Sequence, residues 1–133
     1  MNKYVCANLV NIVDDKILLV KVRENEKYYL PGGKIEKGEN DIQALIREIK
    51  EELSVTLEEN KITYLDTITA PAYPDNENQV ELRCYIYENL EKIIKSNEIT
   101  DIQYIDMAKE NLIAPAVNIL IKKRFRKFIS IDK

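Results

Sequence analysis

Glu48, Glu51 and Glu52 stand close together in the stretch from Gly33 to Val55, GKIEKGENDIQALIREIKEELSV. On a helix, at about 100° per residue, the three fall within one narrow arc. Glu48 and Glu52 are also an i, i+4 pair of like charge, which weakens a helix by roughly a few tenths of a kcal/mol. No Lys or Arg is spaced to neutralise all three. Such an acidic focus suits a hard divalent cation held by oxygen ligands, with Mg²⁺ first and Mn²⁺ as a substitute.

The helix that carries them must be fixed to something. Ile42, Leu45, Ile46, Ile49 and Leu53 repeat at helical spacing, and this spacing predicts a core-facing side opposite the carboxylates. Asn40 is a good N-cap, and Gln43 three residues on completes a capping-box pattern. The helix is expected over Asp41 to Leu53, after a turn at Pro31-Gly32-Gly33. Upstream, Tyr4 to Val13 and Lys16 to Arg23 read as strands joined by a turn at Asp14-Asp15, and Tyr28-Tyr29-Leu30 as a short strand. Downstream, Ile62 to Ile68 reads as a strand and Ala70 to Asn78, with Pro71 and Pro74, as a loop. Val80, Leu82, Cys84 and Ile86 alternate with Glu81, Arg83, Tyr85 and Tyr87, a strand with two different faces. Ile102 to Ile105 is a last short strand. Pro115 suits the first turn of a final helix reaching about Phe128. Strands and helices interleave, which favours a layered α/β domain.

The chain has 133 residues, 45% of them hydrophobic, enough for one domain spanning residues 1–133 with its own core. It contains no His, which excludes His-based triads, His zinc ligands and imidazole acid–base work. Carboxylates, Lys and Tyr must carry any proton chemistry. Cys6 and Cys84, its two cysteines, sit among apolar residues and read as reduced core residues. A net charge of −3 argues against stable nucleic-acid binding. Asn8 and Asn11 interrupt the N-terminal apolar run, so no signal peptide is expected. No apolar run approaches the ~20 residues that span a membrane. The expectation is a soluble cytoplasmic protein without membrane partners; its oligomeric state, homodimer included, stays open.

Gly33, Glu39, Arg47-Glu48-Ile49-Lys50-Glu51-Glu52 and Val55 match the pattern GX5EX7REUXEEXGU, where U is a bulky aliphatic residue. That pattern is the signature of the Nudix (MutT-like) hydrolases, and the chain resembles them over this box and in its order of elements. The lead-in Leu30-Pro31-Gly32-Gly33-Lys34 is similar as well. One position departs: Ser54 stands where the family has its second Gly, at the helix end, away from any metal ligand. The resemblance implies an α/β/α sandwich with a mixed β-sheet between helices. It implies Mg²⁺-dependent hydrolysis of a phosphoanhydride in a small nucleoside diphosphate derivative. Glu48, Glu51 and Glu52 would be metal ligands, Gly33 (through its carbonyl) and Glu39 helpers, and Arg47 the residue that orients its neighbouring Glu.

The resemblance also marks weaker candidates. Glu98, in the loop before the last strand, matches a place where several members carry an extra ligand or base. Pro71 and Tyr73 lie near positions linked to ADP-ribose and to dinucleoside polyphosphates, but each rule is only half met. Asn118 is one place late for the base-reading Asn of oxidised-purine hydrolases, and a surface Asn is the plainer reading. Oxidised or non-standard (deoxy)nucleoside triphosphates of the 8-oxo-dGTP kind are favoured, giving the monophosphate and pyrophosphate, because the chain is short. ADP-ribose, nucleotide sugars and dinucleoside polyphosphates are the alternatives, and a nucleotide-binding module without catalysis is the alternative of another class. The basic run Lys122-Lys123-Arg124-Phe125-Arg126-Lys127 reads as a solvated helix end.

Overall fold

The computed structural model describes residues 2–23, 25–73, 77–96 and 98–128. Seven strands and two α-helices follow one another: β1 (Lys3–Val10), β2 (Ile12–Val13), β3 (Lys16–Val22), β4 (Gly32–Lys34), α1 (Asp41–Leu53), β5 (Thr63–Pro71), β6 (Gln79–Ile86), β7 (Ile99–Asp106) and α2 (Pro115–Arg124). The strands form two sheets rather than one. The first has the order β4-β1-β6-β5 and the second β2-β3-β7. The first is mixed, with β1 parallel to β6 and antiparallel to β4. The fold is therefore the α/β/α sandwich that the sequence suggests, with mixed strands between two helices.

The apparent single strand from Tyr4 to Val13 changes sheet at Asn11. This side chain is 3% exposed. Its Nδ2 donates to the Tyr87 carbonyl at 2.7 Å, and its Oδ1 accepts from the Tyr104 hydroxyl at 2.5 Å. A polar residue inside an apolar run thus becomes the joint between sheets, with its amide satisfied on both sides.

Strand alternation divides the core in two. Ala7, Leu9, Leu18 and Val20 face α1 and pack with Ala44, Leu45, Ile49 and Leu53. Val10, Ile17, Leu19, Leu82 and Cys84 face α2 and pack with Ala116, Val117, Leu120 and Ile121. β3 is apolar on both faces because both are covered. Cys6 and Cys84 are free thiols, half-buried and buried. Burial pushes them up to about 11 and about 12, so both stay protonated at neutral pH. Among the described residues, no helix is long and apolar enough to cross a membrane.

Several boundaries differ from the sequence reading. Gly32 and Gly33 are strand residues of β4 rather than a turn. β5 runs on through Ala70 to Pro71, which is tolerated because β5 is an edge strand. The rest of that expected loop includes residues 74–76, outside the described residues. β7 is eight residues long, starting at Ile99. α2 ends at Arg124, and a separate 3-10 turn covers Arg126–Phe128.

α1 has the expected limits because its signals are local. Asn40 accepts from the Gln43 amide, and the Gln43 side chain accepts from the Asn40 amide. Ser54 ends the helix in the left-handed region, with φ 62°. Leu53 and Glu52 carbonyls accept the Ile94 and Ser96 amides, which holds this end despite the strained Ser. Two variants test these ends by urea unfolding. Ser54→Gly should raise stability by about 0.5 kcal/mol, the ~1 kcal/mol relief of left-handed strain being partly offset by unfolded-state entropy. Asn40→Ala should lower stability by about 1 kcal/mol. A neutral or destabilising Ser54→Gly would show that the loop bonds already remove the strain.

Candidate active site

The carboxylates do not sit opposite the buried side of α1. At about 100° per residue, Glu48 and Glu52 fall inside the arc bounded by buried Ala44 and Leu53. This differs from the expected division into an apolar and an acidic side. The reason is β4, whose glycines leave space for carboxylates where a neighbouring strand would normally present side chains. A Cβ built on Gly33 would lie 2.5 Å from the Glu48 carboxyl carbon. Gly32 has φ 134° and would meet the Ala7 carbonyl oxygen at 2.2 Å, so only glycine fits there.

Glu52 Oε1 accepts from the Gly32 amide at 3.0 Å. Burial nevertheless dominates and raises its carboxyl to about 8; this amide lowers it, and the charges of Glu48, Glu98 and Glu51 raise it further. Burial also raises Glu48, against the pull of Arg47. Glu51 is different: its side chain is 60% exposed and lies 3.6 Å from Arg47.

Arg47 organises the acidic group. Its Nε and Nη2 donate to the two oxygens of Glu39, at 2.6 and 2.9 Å. Nη1 donates to Glu48 at 3.0 Å, and Nη2 also to the Lys34 carbonyl at 3.1 Å. Glu39 additionally accepts the Glu36 amide at 3.0 Å. The Arg47 fork and this amide hold the Glu39 carboxyl down at about 2. Both Glu39 oxygens are thereby engaged, and the residue holds Arg47 in place. The bidentate pair joins the segment before α1 to the helix and to the backbone just past Gly33.

The remaining candidates are dispersed. Glu98 is an exposed residue just before β7, 3.9 Å from Arg23, yet close enough for its charge to raise Glu52. Tyr73 is half-buried against the α2-side core. Asn118 lies on α2, and its Nδ2 donates to the Glu110 and Ile113 carbonyls at 3.0 Å each. That side chain is engaged in closing its own helix start, on the opposite side of the sheets from α1. A cavity of about 1010 Å³ lies beyond the C-terminal end of α1, between Ser54–Thr63 and Ile86–Lys92. None of the three clustered carboxylates lines it, so it is not the site of the acidic chemistry.

Sequence reading missed three contributors. Gly32 supplies the amide to Glu52, and the Gly-Gly pair was its signal. Lys34 contributes its carbonyl, which no side-chain pattern reveals. Asn8, 2% exposed, sends its Nδ2 towards the Leu30 and Pro31 carbonyls at 3.4 and 3.3 Å, just before β4. A polar residue inside an apolar strand was the available signal.

Known proteins share the fold. A MutT protein from Methanosarcina mazei Go1 superposes with a TM-score of 0.76 at 16% identity, covering 95% of each chain. A MutT NUDIX hydrolase from Burkholderia pseudomallei gives 0.72 at 22% identity, covering 93% of this chain and 99% of that one. In sequence, 42 residues are 52% identical to the mRNA-decapping enzyme subunit 2 of Saccharomyces cerevisiae (strain YJM789). That match takes in 32% of this chain and only 4% of the yeast protein. The NUDIX domain family matches residues 3–125. With Glu48 and Glu52 set against the glycines of β4 and the match running through nearly the whole chain, the protein belongs to the NUDIX domain family.

Proposed function

We propose that the protein is a divalent-metal-dependent hydrolase of a small nucleotide, with Glu48, Glu51 and Glu52 as its metal ligands. Oxidised or non-standard deoxynucleoside triphosphates are the favoured substrates, cleaved to the monophosphate and pyrophosphate. The observation that carries the reading is the placement of Glu48 and Glu52 against the Gly33 and Gly32 backbone, inside the buried arc of α1. Drawing two half-buried carboxylates together opposes folding unless a positive charge compensates. Of these two, Arg47 bonds to Glu48 and not to Glu52.

The donor set fits Mg²⁺ or Mn²⁺, being made of hard oxygens. Among the described residues no three acidic or thiol side chains already converge on one metal-sized point. Glu51 points towards Arg47, 3.6 Å away, and its exposed side chain would swing from there to join the other two. Glu48, Glu51, Glu52 and the Gly33 carbonyl would hold the cation, whose contribution is to neutralise the phosphoanhydride as it breaks. Arg47, gripped by Glu39, keeps the Glu48 carboxylate aimed at β4. One carboxylate of the group would take the proton of the attacking water, and Glu98, whose charge reaches Glu52, is a candidate outside the ligand set. Tyr73 and Asn118 remain proposals for the nucleoside side. The Asn118 contacts would have to open before that amide could read a base.

A nucleotide panel with Mg²⁺, read for phosphate and pyrophosphate release, tests the reading. It should include an oxidised deoxyguanosine triphosphate, ADP-ribose, a nucleotide sugar, a dinucleoside polyphosphate and a capped RNA 5′ end. Pyrophosphate release from the oxidised triphosphate, abolished by EDTA and restored by Mg²⁺ or Mn²⁺, is the expected result. Turnover that survives EDTA and dialysis overturns the metal mechanism. Nucleotide binding without turnover of any compound would instead identify a binding module.

Glu52→Gln should lower kcat by ~10²-fold or more, because the lost charge acts on the transition state. Folding should be kept or improved, since repulsion from Glu48 is relieved. Full activity in this variant would remove Glu52 from the site.

The metal-free protein should also show a particular pH dependence. A carboxyl raised from 4.5 to about 8 in the folded state favours folding while protonated. That contribution is complete below about 4.5 and is lost as pH rises through about 8. Glu39, lowered to about 2, acts with opposite sign but only below its ordinary value of 4.5. In EDTA the thermal midpoint should therefore fall between about pH 5 and about pH 8, and Glu52→Gln should flatten the curve. A wild-type midpoint that rises over this interval would contradict the half-buried placement of Glu52 against β4.

A further inference from the structure

Asp41 opens α1, seven residues before Glu48. At helical geometry a seven-residue step drifts by only about 20°, so Asp41 and Glu48 lie on one stripe, about 10 Å apart. Glu52 continues the same stripe. Between them Ala44 and Leu45 are fully buried on the sheet. Asp41 is therefore turned towards the strands, as Glu48 and Glu52 are, and not towards solvent.

Both Asp41 oxygens are taken by β6. Oδ1 accepts from Arg83 Nη1 at 2.9 Å, and Oδ2 accepts from the Tyr85 hydroxyl at 2.6 Å. Arg83 is itself oriented by Glu81, 2.8 Å from its Nε, and Glu81 is paired with Lys3 of β1 at 3.0 Å. The Tyr85 ring packs edge-on to Tyr64 of β5, with centroids 5.5 Å apart. The first turn of α1 is thus clamped to β6, on one side of β1. Its Glu48 and Glu52 reach β4, on the other side of β1.

We infer that Asp41, held by Arg83 and Tyr85, is a positioning residue that sets the rotation of α1 about its own axis, so that Glu48 and Glu52 meet Gly33 and Gly32. The proposal rests on the hydrolase reading above for its functional meaning, but its geometry can be tested without metal or substrate. Left to itself, the helix would turn its two inward carboxylates towards water. Such a rotation would carry Glu48 towards water first, since it lies nearer than Glu52 to exposed Glu51 around the helix. The apolar contacts of Leu45, Ile49 and Leu53 resist that rotation only weakly near its edge, since hydrophobic attraction is not directional. Two directional bonds on one carboxylate in the first turn resist it directly. An Asp serving only the helix dipole would need neither Arg83 nor Tyr85.

The test uses the double variant Arg83→Met/Tyr85→Phe, which keeps Asp41 and its favourable place at the helix start. Amide exchange is followed by NMR in metal-free protein. The Gly32 amide donates to Glu52, so its exchange reports whether that carboxylate is in place. Gly32 should exchange at least ~10-fold faster in the variant while the amides of Leu45 and Ile49 keep their protection. Arg83→Lys alone should lie between the variant and wild type. With Mn²⁺ followed by electron paramagnetic resonance, the double variant should bind ~10-fold or more weakly, and on a turned-over nucleotide kcat should fall with KM little changed. Unchanged Gly32 protection overturns the inference, as does a loss shared equally by Leu45 and Ile49, which would mark a general loosening. A wild-type protein that neither binds Mn²⁺ nor turns over nucleotides overturns the hydrolase reading instead, and the Gly32 exchange then decides the clamp by itself.

Discussion

The contact between two glutamates and two glycines governs this molecule. Glu48 lies where a Gly33 side chain would be, and Glu52 accepts the amide of Gly32. Carboxylates are rarely drawn even half into a helix's packed side, because desolvating charge is costly. Their presence inside the buried arc of α1 imposes conditions on everything nearby. β4 must be glycine-rich, and therefore short. Arg47 must reach Glu48 from outside the arc, and it does so only because Glu39 and the Lys34 carbonyl fix its other edge. The helix must be stable enough to carry internal repulsion. Burial of Leu45, Ile49 and Leu53 contributes about 1.5–3 kcal/mol each, well above the roughly 0.2–0.5 kcal/mol opposed by a like-charged i, i+4 pair.

α1 was legible from sequence because each of its signals is local. The capping box lies within four residues, and the apolar spacing within the helix itself. The acidic motif was legible for the same reason. What could not be read was where the carboxylates point, because that depends on β4. Gly-Gly has low strand propensity and reads as a turn, and only pairing with Cys6, Ala7 and Asn8 makes it a strand. The division of the sheet at Asn11 was hidden in the same way, since its partners Tyr87 and Tyr104 are 76 and 93 residues away. The end of α2 was overestimated because Phe125 continues the apolar spacing although the backbone leaves the helix there.

The functional residues separate along the same line. Glu39, Arg47 and Glu48 announce themselves by spacing, and their contacts fall within one short segment. Asp41 gives no such signal. Its partners, Arg83 and Tyr85, lie 42 and 44 residues downstream, on a strand whose alternation shows two different faces but not what either one meets. Asn118 shows the reverse case: a residue in a suggestive place whose amide closes its own helix start.

The margins of the four-stranded sheet have a different consequence. One margin is β4, three residues long and lying against α1. The other is β5, nine residues long and so the natural template for an incoming strand. It is interrupted by a bulge between Tyr64 and Asp66, carries the Asp66 charge beside Lys123, and ends on Pro71, which has no amide hydrogen to offer. Each of these breaks the regular row of donors and acceptors that a foreign strand needs. Sheet extension from one copy into the next, the first step towards cross-β aggregation, is therefore obstructed at both margins. The chain can keep two carboxylates half-buried, at some expense of stability, with both margins of this sheet broken against its neighbours.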